Sequence, residues 1–296
     1  MMKKILLLTL APLTLSLHAA FIMKKDKPLT KIQTTSNNED ITVVQQEDIH
    51  EPDSVYLFDK IQTKEINILT IGDSFTDGSD ILIPLESTLN ETVIIDNYLG
   101  TQSDAGIAHE GRGGWTADAY MNLNPTWYPD SPFLNSGSID FKNYFDNILK
   151  TQPNVVIIQL GVNDMLAATK GIAKGYYTND IIQVKVDHLA LLAEGIRKVL
   201  PSSSKILMLM PTPPSSTYPG SLSGVDHQEY TNVYNQYHQY YISKFQNRER
   251  DGIFIVAENL DIDTQNDFND YVHPNKEGYA KIAEAIKEKL LSIISF

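Results

Sequence analysis

The stretch that most constrains this chain is Ile66 to Ser74, which reads Ile-Asn-Ile-Leu-Thr-Ile-Gly-Asp-Ser. A mostly apolar run of strand length that stops at a glycine has the pattern of a strand buried on both faces in a parallel sheet. Such a strand delivers a polar loop to the carboxyl edge of the sheet. Ligands bind at that edge in open α/β sheets, so Ser74 is the first candidate for chemistry.

Beyond Ser74 the chain alternates helix and strand signals. Ile81–Leu89 reads as a short helix and Thr92–Tyr98 as a second strand. A long loop rich in Gly, Asn, Pro and Trp follows from Gly100 to Ser138. Ile139–Lys150 has helical apolar spacing, and Val155–Leu160 is an unbroken buried strand. Asn179 or Asp180 is placed to cap a helix running to Pro201. Lys205–Met210 is a fourth strand, and a proline-rich loop, Pro211–Gly220, leads to an aromatic helix over Asp226–Arg248. Ile253–Ala257 is a fifth strand, and Asn275–Ile294 is the last helix. This alternation predicts an α/β fold, a three-layer α/β/α sandwich around a central parallel sheet of about five strands.

Upstream, Met1–Ala20 has the order of an export signal: Lys3 and Lys4, an apolar run from Ile5 to Leu17, then small residues. Cleavage is expected after Ala19 or Ala20, and the protein is expected to be periplasmic or secreted. No cysteine follows the apolar run, which excludes a lipoprotein anchor, and no disulfide or thiolate nucleophile is available to a chain with 0 cysteines. Residues 21–64 read as a polar extension or linker, with Ile41–Val44 as a short strand, and residues 65–296 as the one folded domain. The formal charge of -13 becomes -15 once Lys3 and Lys4 leave (-13 - 2). That balance argues against nucleic acid or acidic membrane surfaces as partners and favours a neutral substrate, a small molecule or glycan.

Four polar clusters fall after the first, second, third and fifth of these strands and converge on one sheet edge. They are Gly72-Asp73-Ser74, Gly111-Arg112-Gly113-Gly114-Trp115-Thr116, Gly161-Val162-Asn163-Asp164 and Asp270-Tyr271-Val272-His273-Pro274. Together they supply what acyl transfer to water needs. A serine hydroxyl requires a base, and His273 is the base that the sequence offers. Asp270, three residues upstream, is placed to hold the imidazole tautomer and stabilise its cation. The backbone N–H groups of Ser74 and Gly114 and the side-chain amide of Asn163 are candidate oxyanion donors. Asp73 and Asp164 orient loops more readily than they react.

In order and residue type, the four clusters resemble the blocks of the SGNH, or GDSL, hydrolase superfamily over roughly Ile66–Ala283. The resemblance implies a flavodoxin-like sandwich and ester hydrolysis through an acyl-serine, with neither metal nor other cofactor. Either Gly113 or Gly114 fits the glycine of the second block, and Gly-Trp-Thr favours Gly114. The run Glu110–Thr116 is similar to carbohydrate O-acetyl esterases of that superfamily.

A metal site through His109, Glu110 and His273 lacks any ligand-spacing signature. The three glycines near Trp115 do not form a dinucleotide fingerprint. Trp115, Arg112 and Asp164 are the nearest substrate-binding candidates. Trp115, Trp127, Tyr128, Phe133, Tyr218, Tyr230, Tyr234 and Tyr237 offer ring faces suited to a sugar, although half or more of them are expected to pack the core. The reading is an exported serine esterase removing short acyl groups, chiefly acetyl, from a saccharide. Its rivals are a lipolytic or aryl esterase, a thioesterase, and a noncatalytic carbohydrate-binding or cell-envelope protein on the same fold.

Overall fold

The computed structural model describes residues 65–89, 94–124, 130–217 and 224–294. The expected leader, the polar extension with its strand at 41–44, and Trp127, Tyr128 and Tyr218 lie outside the described residues. The first half of the domain comprises β1 (Glu65–Gly72), α1 (Leu82–Leu89), β2 (Ile94–Leu99), β3 (Gln102–Asp104), β4 (Ile107–Gly111), α2 (Ala117–Tyr120), β5 (Leu134–Asn135), β6 (Ser138–Ile139) and α3 (Phe141–Asn143), which runs into a π-helical stretch at Tyr144–Leu149. The second half comprises β7 (Val155–Gln159), α4 (Val162–Ala173), α5 (Asp180–Val199), β8 (Lys205–Leu209), α6 (His227–Phe245), β9 (Ile253–Ile255) and α7 (Lys276–Ile293).

Five parallel strands run β2-β1-β7-β8-β9 across the sheet, which is the flavodoxin-like order once strands are counted along the chain. Helices α1 and α7 pack together on one face, while α2, α4, α5 and α6 pack against one another on the other. The three layers follow from the sequence pattern. Every residue of β7 is buried, as a central strand covered by helices on both faces requires. Each buried Ile or Leu there contributes about 1.5–3 kcal/mol relative to exposure.

Three expectations are corrected. Among the described residues the sheet has 7 strands, not about five, because the span from Gly100 to Ser138 contains strands as well as loop. Ala105 and Gly106, with φ of 51° and 85°, make the left-handed two-residue turn that closes β3 antiparallel onto β4. Strand β4 then lies parallel to the carboxyl end of β1, pairing Ile71 with Glu110 and Gly72 with Gly111. The second polar cluster therefore follows β4 directly, not β2. Helix α4 is a further element that the sequence pattern did not mark. Finally, Asn179 precedes α5 with helical backbone angles, φ -62° and ψ -18°, and its side chain caps nothing. Side-chain capping needs an extended residue, as at Asn275, whose carboxamide oxygen accepts from Gly278 N–H at 3.0 Å.

Candidate active site

At the carboxyl edge Gly72 is in register with both Gly111 and Gln159. The chain must turn sharply after Gly72, and only glycine fits there. A Cβ on Gly72 would lie 2.0 Å from Thr76 Oγ1 and 2.8 Å from Gln159 Oε1. The turn that follows is closed by Thr76 and Asp77 N–H groups donating to the Asp73 carbonyl at 3.1 and 2.9 Å. Asp73 is wholly buried, and its Oδ1 accepts from Phe75 N–H at 3.2 Å. Ser74 is thereby lifted out of the sheet on a fixed turn.

The structure brings Ser74, His273 and Asp270 into one hydrogen-bonded chain. Ser74 Oγ lies 2.9 Å from His273 Nε2, and His273 Nδ1 lies 2.8 Å from Asp270 Oδ2. An ionised carboxylate only accepts, so the imidazole proton sits on Nδ1 and Nε2 is free to accept from Ser74. The other carboxylate oxygen of Asp270 accepts from the N–H groups of Val272 and His273 at 2.9 and 2.8 Å. Partial burial opposes ionisation of Asp270, but these N–H groups and the imidazole outweigh it and hold the carboxyl below the usual carboxylate range. The Phe75 ring packs against the imidazole of His273, 5.6 Å between centroids.

The span from Arg112 to Tyr120 is tied down almost residue by residue. Arg112 N–H donates to Gly72 O at 3.0 Å, Gly113 N–H to Asp77 Oδ2 at 2.7 Å and Trp115 N–H to Arg112 O at 3.1 Å. Trp115 O accepts from Asn163 Nδ2 at 3.3 Å, and Ala117 N–H donates to Asp164 Oδ2 at 3.2 Å. The Tyr120 hydroxyl donates back to Gly72 O at 2.8 Å. Gly113 has thus spent its N–H on Asp77. The N–H groups of Gly114 and Ser74 have no acceptor among the described residues, and Gly114 takes a φ of 78° that favours glycine.

Other candidates are placed differently. Arg112 stacks over the Trp115 ring at 5.1 Å and bonds the fully buried Glu110 at 2.8 Å. Asp164 is wholly buried against Ala117, so as a substrate contact it is corrected to a residue that holds the second loop. Glu110 is occupied by Thr101 N–H, the Tyr144 hydroxyl and Arg112, and His109 Nδ1 by Gly111 N–H at 2.9 Å. Phe133, Tyr230 and Tyr237 are core residues, not sugar platforms, while Tyr234 is partly buried against the core. The sequence pattern did not single out Gln159, whose Oε1 accepts from Thr76 Oγ1 at 3.3 Å, nor Asp77. Gln159 was visible as a polar residue ending an otherwise apolar strand.

Desolvation pushes the Asp73 carboxyl up to about 6 and that of Asp164 to about 7, from an ordinary 3.8. Between roughly pH 4 and these values the folded protein holds protons that the unfolded chain has released, so stability falls as pH rises and levels off above about pH 7. Asp73→Asn removes one such titration. Relative to this variant, the wild type is expected to lose up to about 3 kcal/mol of unfolding free energy between pH 4 and pH 8, at about 1.4 kcal/mol per pKa unit. Urea titrations at the two pH values check this, and parallel pH trends in the two proteins would refute it.

The family model for GDSL-like lipases and acylhydrolases matches residues 68–286. A multidomain esterase from Ruminococcus flavefaciens is 26% identical over 195 residues, covering 66% of this chain but 22% of that protein, so the chain matches only about a fifth of its relative's length. Among solved structures, a GDSL-like lipase from Bacteroides thetaiotaomicron is 15% identical with a TM-score of 0.44, covering 77% of this chain and 89% of the other. The C-terminal catalytic domain of peptidoglycan O-acetyltransferase A from Streptococcus pneumoniae is 16% identical with a TM-score of 0.40, covering 77% and 94%.

Proposed function

The chain belongs to the GDSL-like lipase/acylhydrolase family and is an ester-hydrolysing enzyme; from that premise we propose that it is exported and cleaves short acyl esters, chiefly acetyl, from a carbohydrate. The observation that carries the mechanism is the chain Ser74 Oγ, His273 Nε2, His273 Nδ1, Asp270 Oδ2. Ser74 Oγ attacks the ester carbonyl carbon while its proton passes to His273 Nε2. The developing oxyanion is met by the N–H groups of Ser74 and Gly114 and by the second N–H of the Asn163 amide, whose first is spent on Trp115 O. Collapse returns the proton from His273 to the leaving alcohol, and a water molecule deprotonated by His273 then frees the acyl group.

The finer parts of the reading rest on other supports. The charged, apolar and small-residue order of Met1–Ala20 supports export. A net charge of -13 favours a neutral substrate over a polyanion. Arg112 stacked on a half-buried Trp115 beside Gly114 gives the second loop a polar and aromatic face suited to a sugar hydroxyl and ring. The test is a matched panel of acetyl, butyryl and octanoyl esters on one chromogenic alcohol, followed by acetate release from acetylated glycans. The expected result is kcat/KM falling with chain length and acetate released from at least one glycan. Preference for octanoate overturns the short-acyl reading in favour of a lipolytic esterase. Preference for the matched thioesters would favour a thioesterase.

A further inference from the structure

The loop that carries Gly114 does not end its anchorage at the motif residues. Thr116 caps α2, its Oγ1 accepting from Ala119 N–H at 3.3 Å. The next residue, Ala117, gives its N–H to Asp164. Asp118 follows, and its carboxylate is held from α5 by Lys185 Nζ and by His188 Nδ1, the latter at 2.5 Å. Burial pushes the Asp118 carboxyl up, but the His188 and Lys185 contacts outweigh it and hold it below the usual range. Lys185 is itself buried, and besides Asp118 it feels the charge of Asp164. Burying the Lys185 ammonium and the Asp118 carboxylate beside Asp164 is costly unless the two charges are paired, so this cluster has little freedom to slide. Its three members come from α2, α4 and α5.

Resting on the reading of Gly114 N–H as an oxyanion donor, we propose that Lys185, with Asp164 and Asp118, acts as a positioning residue that fixes the Gly114 loop against α5. Lys185 lies far from the sequence motifs. It touches neither Ser74 nor a substrate atom; it acts through α2. Removing one donor from an oxyanion hole costs about 10²–10³ in kcat, so displacing one by a fraction of an ångström is expected to cost less, about 10- to 100-fold.

Five variants are assayed on one acetate ester, with kcat and KM measured well below each variant's melting temperature. Lys185→Met and Asp164→Ala are expected to lower kcat about 10- to 100-fold with KM within about threefold, because the lost interaction matters only in the transition state. Asp164→Asn, whose carboxamide oxygen still accepts from Ala117 N–H, is expected to keep kcat within about threefold of wild type. Asp118→Asn supplies a milder test if Lys185→Met does not fold, and its kcat is expected to drop about 3- to 10-fold. Lowered melting temperatures with unchanged kcat in Lys185→Met, Asp164→Ala and Asp118→Asn would mean a purely structural role and would overturn the proposal. An Asn163→Ala variant in the same assay separates the two layers. If it loses kcat while the strut variants keep theirs, the strut alone is wrong; if it and the strut variants all keep kcat, the oxyanion reading of this edge falls and the strut with it.

Discussion

Ser74→Ala is expected to lower kcat for acetate-ester hydrolysis by roughly 10⁴- to 10⁶-fold, the range in which serine nucleophiles that act as a unit with their base are found. Among the described residues nothing is placed to substitute for the lost hydroxyl. Ser74 Oγ is the group bonded to His273 Nε2, and the nearby Thr76 hydroxyl is buried and donates to Gln159. His273→Ala should cost a similar amount, since Oγ then has no proton acceptor. The double variant should be no worse than either single one, because each substitution already abolishes the same step. Melting temperatures should shift little: Ser74 and His273 are partly exposed, and their mutual hydrogen bond is worth about 1 kcal/mol net. Retention of a tenth or more of wild-type activity by Ser74→Ala would rule out the acyl-serine mechanism. Additive losses in the double variant would show that the two side chains act in different steps.

How much of this was legible in the sequence depends on the range of the interaction that fixes each feature. Ile66–Gly72 and Val155–Gln159 are continuous apolar runs, and burial on both faces is written into their composition. Asp270 and His273 are three residues apart, so their pairing is a local turn closed by the Asp270 carboxylate. Strands β3 and β4 were illegible for the opposite reason. They are short, they are rich in polar residues, and β4 is held by a long-range parallel pairing to the last residues of β1. The sequence favoured Gly114 over Gly113 on the Gly-Trp-Thr run alone; that Asp77, far away in sequence, takes the Gly113 N–H could not be read from it. Half or more of the aromatic residues were expected in the core, but which ones was not legible, because a tyrosine at helical spacing looks alike whether it packs inward, as Tyr230 and Tyr237 do, or outward, as the exposed Tyr240 does.

The loss expected from Asn163→Ala is smaller and more diagnostic. Asn163 opens α4 just after Gly161, whose φ of 131° lies in a region open to glycine. A Cβ on Gly161 would also meet Pro211 at 2.5 Å and the Tyr237 hydroxyl at 2.9 Å, so this corner admits glycine alone. The amide of Asn163 is therefore delivered by a rigid bend, with one N–H on Trp115 O. Truncation to alanine removes an oxyanion donor and the tie to Trp115 together. A fall of about 10²–10³ in kcat, or about 3–4 kcal/mol of transition-state stabilisation, is expected with KM almost unchanged, because a neutral ground-state carbonyl gains little from that donor. Asn163→Asp should be as damaging: a carboxylate keeps the size but offers an acceptor where a donor is needed. A rise in KM with unchanged kcat in Asn163→Ala would assign the amide to ground-state binding, leaving the oxyanion to the backbone N–H groups of Ser74 and Gly114.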